Sequence, residues 1–153
     1  MSGGHTLPAH LRPRLVGLVA AGGVLGTAVR QALSLVVPSV GGFPVAIFLI
    51  NLTGAFLLGL LLQALALSGP DEGWRRDLRL GVGTGVLGGY TTYSSLAVAT
   101  GGLLGHGQWV VGLGYGLGSV LVGAFTAGLG IVLAERIMSA RRSTSRSVRG
   151  GTR

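Results

Sequence analysis

Inside its long apolar runs this chain keeps few polar side chains, and their types limit the chemistry available. They include Arg30, Asn51, Thr53, Thr84, Thr91, Thr92, Ser94, Ser95, Thr100, Ser119 and Thr126. None of the runs holds Asp, Glu, Lys or His, and the chain has no Cys. Thiolate metal sites and cysteine catalysis are excluded. His5, His10 and His106 lie in polar ends or loops, so no nucleophile–base set assembles within the runs. The chain does not read as an enzyme. Proton-coupled transport ordinarily needs a carboxylate that titrates inside the membrane. Cation pores use carboxylate rings or carbonyl filters. One guanidinium with hydroxyl and amide donors suits a small anion instead.

The densest polar stretch is Gly88-Gly89-Tyr90-Thr91-Thr92-Tyr93-Ser94-Ser95-Leu96. Two glycines, two β-branched threonines and two serines are poor helix formers in succession. The stretch predicts a helix break near Gly88–Thr92. Backbone freed in lipid must be satisfied by protein, water or an ion, and carbonyls turned inward at a break can hold a cation. The alternative is a Gly-kinked packing helix whose hydroxyls bond back to their own carbonyls. Asn51 suits either an interhelical hydrogen bond or a pore-lining donor. Arg30 is either a charge inside the bundle or one that snorkels to the interface. Gly83-Thr84-Gly85-Val86-Leu87-Gly88 matches a dinucleotide-binding glycine pattern, but it lies in an apolar run without the strand that pattern requires.

The elements that carry these residues are four apolar runs, Leu15–Val37, Pro44–Leu67, Leu80–Leu104 and Trp109–Ala134. Each exceeds the roughly 20 residues that cross about 30 Å of hydrocarbon. Only 10% of the 153 residues are charged, against roughly 25% in a soluble domain. Mean hydropathy is +0.66. The chain therefore reads as an all-α membrane protein of four transmembrane helices, with the third broken. Residues 1–14 form a polar lead, 15–134 the membrane domain, and 135–153 an Arg/Ser-rich tail expected to be irregular. The first run is too long for a cleavable signal.

All 12 basic residues are Arg, and 11 lie outside the runs. Four crossings place those 11 on one side, at both termini and in the Ser68–Arg79 loop, and none in the loops of the other. The positive-inside rule then sets both termini in the cytoplasm of a multi-pass cell-membrane protein. The arginines serve orientation and the lipid surface. No aromatic-interleaved basic stripe points to nucleic acid. Gly22/Gly26, Gly81/Gly85/Gly89 and Gly112/Gly116 are small-residue pairs that let helices approach closely. They imply a tight bundle, and four helices enclose so little that an oligomer is expected.

Three segments resemble the CrcB/Fluc fluoride channels. Gly22-Gly23-Val24-Leu25-Gly26-Thr27-Ala28-Val29-Arg30 is similar to the family's GGxxGAxxR. Asn51-Leu52-Thr53-Gly54-Ala55-Phe56-Leu57-Leu58-Gly59 is similar to NxxGxFxxG. Gly88-Gly89-Tyr90-Thr91-Thr92-Tyr93-Ser94-Ser95-Leu96 is similar to GGxTTFSTF. They occur in the family's order on the first three runs. The resemblance implies passive, fluoride-selective export that lowers cytoplasmic fluoride, by an antiparallel dimer. It further implies a structural sodium ion at the dimer centre, held by the backbone carbonyls of Gly88 and Thr91. The implied anion path uses Asn51, Tyr93, Ser94, Ser95 and Leu96, with Tyr115 and Ser119 matching a Tyr-xxx-Ser spacing. Arg30 takes the structural arginine's place.

The sequence departs from the family at two of these positions. Tyr93 keeps a ring where the family has phenylalanine, but Leu96 does not. Ring edges carry the positive end of the aromatic quadrupole and can face an anion. The 11-to-0 arginine bias also opposes insertion in both directions. Together they imply a heterodimer with an oppositely oriented homologous subunit. Two competing readings are a small multidrug-type exporter subunit, which would need a membrane-embedded glutamate, and a non-conducting structural subunit of a heterodimeric channel.

Overall fold

The structure is a computed structural model that describes residues 12–150, with side chains described as far as Arg141. The expected lead, residues 1–14, falls almost wholly outside the described residues, as do residues 151–153. Helix α1 spans Pro13–Val36, with Pro13 in the first turn, where its missing N–H costs no hydrogen bond. Pro38 disfavours helical backbone at Val37. The chain then reverses through Gly41 and Gly42, at φ of 58° and 82°, while Val40 and Phe43 exchange backbone hydrogen bonds of 3.1 and 2.9 Å. Helix α2 spans Val45–Ser68.

Helix α3 is composite. It has an α-helical turn over Trp74–Leu78, a π-helical stretch over Arg79–Leu87 and a final turn over Gly88–Tyr90. Thr91 and Thr92 are extended, at φ/ψ of −77°/157° and −150°/119°. Helix α4 then spans Tyr93–Gly105 and helix α5 Trp109–Gly150. The two extended residues fall within the stretch where poor helix formers predict a break.

Among the described residues, three helices are long and apolar enough to cross a membrane: α1, α2 and the Trp109–Arg141 part of α5. The third apolar run does not supply another such helix, because the break divides it. The 13 residues of α4 rise only about 20 Å, short of about 30 Å of hydrocarbon. The expected tail also differs. Helix α5 continues through Gly150, so residues 139–150 have helical rather than irregular backbone. Ala140, Arg141, Arg142 and Arg146 are good helix formers, and extending an existing helix incurs no nucleation cost.

Helix α1 lies along α3, α2 along α5, and α4 against the first half of α5. Glycines set the closeness of the first two pairs. A Cβ at Gly22 would collide with the Gly81 carbonyl, one at Gly26 with the Val86 carbonyl, and one at Gly89 with the Gly23 carbonyl. Between α2 and α5, a Cβ at Gly59 would strike the Ala127 carbonyl, and one at Gly130 the Phe56 carbonyl. Two of the three predicted glycine groups thus face each other across α1 and α3, as close-packed membrane helices require.

Leu96, Leu103 and Tyr115 form a buried cluster, with Phe43, Ile47, Phe48 and Ala99 packed around it. Most of the exterior along the helices is apolar, with Val24, Leu35, Val98, Val110 and Leu121 exposed. Contacts of charged side chains gather instead at one end of the bundle. There Arg14 pairs with Asp77 and Arg79 with Asp71, both at 2.6 Å, and Gln63 Nε2 donates to Glu135 Oε1 at 2.9 Å. An apolar belt with a charged end suits lipid around it and water beyond it.

Candidate functional site

The break at Thr91–Thr92 is held open by side chains. In an unbroken helix the Thr92 N–H would reach the Gly88 carbonyl, and the Ser95 N–H the Thr91 carbonyl. Here Thr92 N–H donates to Asn51 Oδ1 at 2.8 Å, and Ser95 N–H to Thr92 Oγ1 at 3.2 Å. Both donors are diverted, and the carbonyls of Gly88 and Thr91 lose their helical partners. Asn51 Nδ2 also donates to the Thr92 carbonyl at 3.0 Å. One amide on α2 therefore satisfies both backbone groups of Thr92.

Thr92 is the N-cap of α4, and its Oγ1 lies 3.2 Å from Ser94 Oγ and donates to Ser95 Oγ at 3.1 Å. Side-chain capping of this kind replaces orphan helix-end bonds. On the other flank, Thr91 Oγ1 donates back to the Leu87 carbonyl at 2.9 Å, and Tyr90 Oη lies 2.9 Å from Thr53 Oγ1. Gly54 is flat enough to admit Thr91: a Cβ there would collide with Thr91 Cγ2. Helix α2 thus holds the break through Asn51 and Gly54, which share one face, and through Thr53 beside them.

A cavity of about 320 Å³ opens on this segment, its lining including Asn51, Thr92, Tyr93, Leu96 and Ser119. Of the anion-path residues named from the sequence, the structure brings Asn51, Tyr93, Leu96 and Ser119 to this one cavity. Ser94 and Ser95 stand beside it, in the hydroxyl cluster of Thr92. Tyr93 is 81% exposed, so its ring faces outward from this subunit. Leu96 is 8% exposed and packs against Tyr115.

Tyr115 lies behind Leu96 rather than on the cavity. It is 2% exposed, and its hydroxyl, although buried, has no hydrogen-bond partner among the described residues. Its ring meets Phe43 edge-on at 5.1 Å, and Phe43 in turn meets Phe48 at 5.6 Å. Ser119 Oγ donates back to the Tyr115 carbonyl at 2.6 Å, as membrane-helix serines commonly do. Arg30 sits half-buried on α1, away from the cavity, and makes no hydrogen bond to another described residue. Gly88 is exposed at the edge of the break.

Sequence reasoning missed Thr92 as the pivot of the site, although Thr92-x-x-Ser95 has the spacing of an N-cap pair. It also missed the rings of Phe43 and Phe48. No spacing signal marks them, because they reach Leu96 and Tyr115 from the first turn of α2 and the loop before it, which are remote from both in sequence.

Apolar helices with an apolar exterior, and a broken helix clasped at mid-chain, define a multi-pass membrane protein. The chain belongs to the CrcB-like family, "CrcB-like protein, Camphor Resistance (CrcB)", whose model matches residues 17–131. It is similar to a fluoride-specific ion channel of Leifsonia xyli subsp. xyli (strain CTCB07), 48% identical over 145 residues, which is 95% of this chain and 99% of that one. A fluoride-specific ion channel of Cutibacterium acnes is 47% identical over 134 residues, 87% of this chain and 93% of the relative. One from Deinococcus radiodurans is 43% identical over 122 residues, 78% of this chain and 94% of the relative.

Proposed function

We propose that this chain is a subunit of a fluoride-specific ion channel, not an enzyme, and that it passes fluoride out of the cytoplasm down its gradient. One observation carries the reading beyond family membership: the α3–α4 break, clasped by Asn51, opens into the cavity that Tyr93, Leu96 and Ser119 share. Hydroxyl, amide and ring-edge donors bind a small anion without a fixed countercharge. The absence of carboxylates from the runs fits passive conduction. Family membership takes support from the exporter reading.

In this proposal α3 and α4 together make the fourth crossing, and the cell membrane holds both termini on its cytoplasmic side. The working unit is an antiparallel dimer. The exposed Tyr93 ring fits a surface that a second subunit covers. The carbonyls of Gly88 and Thr91, stripped of their helical donors, would hold a sodium ion, because hard cations of low charge favour neutral oxygen ligands. When bound, such an ion supplies fixed positive charge at the break.

The reading of a non-conducting partner subunit has its own support. Leu96 packs against Tyr115 and shows the cavity an aliphatic side chain where a ring edge would otherwise face it. Both readings require a second, homologous subunit of opposite arginine bias. Expression in a bacterium stripped of its fluoride exporters tests them. Growth at fluoride levels that stop the parent strain, when the chain is expressed with such a partner, is expected. No protection with or without the partner contradicts the fluoride reading.

A further inference from the structure

Between α1 and α3 a crease of about 570 Å³ runs along the outside of the bundle. Its origin lies in the glycine contacts. Gly22 and Gly81 bring the two backbones together with no side chain to fill the seam. The walls are Leu18, Ala21 and Leu25 from α1 and Val82 and Val86 from α3. At one end the crease reaches Arg14, Trp74 and Asp77. It is thus a linear apolar slot that ends in a cation and an amphipathic ring.

We propose that this crease binds a phospholipid, with one acyl chain along the slot and an anionic phosphate on Arg14. The dimensions favour a lipid chain over a protein segment. A helix is about 10 Å across with its side chains, so it rides over such a seam, whereas a polymethylene chain lies in it. The charges are complementary. Arg14 gives two N–H groups to Asp77, at 2.6 and 3.5 Å. A guanidinium carries five donors, so three remain for a phosphate. The Arg14 side chain is 76% exposed and Asp77 anchors it at the slot's end. Trp74, 61% exposed at the same rim, has the apolar body and polar tip that settle at headgroup level. Arg12, Arg75 and Arg76 flank these residues in sequence and add positive charge at that end.

This inference rests on the membrane placement of the chain and not on the fluoride reading, so its test does not use fluoride flux. The chain has two tryptophans, and Trp109→Phe leaves Trp74 as the sole fluorophore. The full chain carrying that change is placed in vesicles containing brominated phosphatidylglycerol or brominated phosphatidylcholine. Quenching of Trp74 is expected to favour phosphatidylglycerol about fivefold in relative association, the effect of one arginine at a charged surface. Arg14→Gln is expected to remove most of that preference, the flanking arginines keeping the remainder. Asp77→Asn breaks the same ion pair but keeps the cation, and is expected to retain it. Ala21→Phe, which fills the slot at an exposed position, is expected to remove as much of the preference with Arg14 still present. Loss in Asp77→Asn, or persistence of the full preference in Arg14→Gln or Ala21→Phe, overturns the site. Failure of both lipids to quench Trp74 gives the crease to a protein neighbour and overturns it equally.

Discussion

Asn51 commits both ends of its amide to one residue, accepting from Thr92 N–H and donating to the Thr92 carbonyl. Its removal leaves two backbone groups unpaired at mid-bundle. Asn51→Ala is expected to destabilise the folded chain by about 1–3 kcal/mol, read by thermal unfolding in detergent. Asn51→Asp can still accept from Thr92 N–H, but it cannot donate to the carbonyl, and it places a negative charge on the cavity. Fluoride flux through the assembled channel is expected to fall more than about tenfold, given the cost of a charge at that depth. Normal flux in Asn51→Asp removes Asn51 from the anion path. The sequence marked Asn51 as important but left two roles open, since nothing local reveals a partner 41 positions away. The structure makes it the clasp of the break and also puts it on the cavity wall. Leu96 shows the opposite limit: its departure from the family motif was visible, but its packing against Tyr115 depends on rings from elsewhere in the chain.

At the scale of elements, α1 and α3 touch through backbone, so a single methyl group decides the fit. Gly26→Val is expected to destabilise the bundle by about 1–3 kcal/mol, because its Cβ would collide with the Val86 carbonyl. Gly17, on the same helix, has nothing within 4 Å of such a Cβ. Gly17→Ala is expected to be neutral or to stabilise by about 0.5–1 kcal/mol. Equal effects at the two sites would contradict glycine-set packing. The loop before α3 carries a pH-sensitive contact. The side-chain hydrogen bond from Arg79, assisted by its charge, holds the Asp71 carboxyl below the usual carboxylate range. A depressed carboxylate stabilises the fold above its unfolded pKa of about 4, and the benefit is lost as pH falls through the lower folded value. Asp71→Asn is therefore expected to leave stability at the acid end unchanged and to lower it slightly at neutral pH, which flattens the acid limb by the same small amount because the pair is exposed. The glycine pairs and the break were legible because both follow from local composition. The length of α5 was not: a Ser/Arg-rich segment reads as irregular until it is seen to continue a helix already formed.

At the scale of the whole molecule, the arginine asymmetry is the strongest constraint. Inverting the chain would carry Arg75, Arg76 and Arg79 across the bilayer together with both charged ends. Single cysteines at Ser39 and at Ser143 of this Cys-less chain are expected to react with an impermeant reagent from outside and only after lysis, respectively. Comparable labelling of both sites in intact cells would mean dual insertion and would remove the need for an oppositely oriented partner. The apolar exterior and the exposed Tyr93 ring fit a surface shared between lipid and that partner. Efflux of fluoride and chloride from liposomes holding this chain together with a homologous subunit of opposite bias tests the account most directly. The account predicts that fluoride leaves rapidly from those liposomes, that chloride stays, and that the chain alone gives little flux. Retention of fluoride in the paired liposomes, or release of chloride at the same rate, would contradict it.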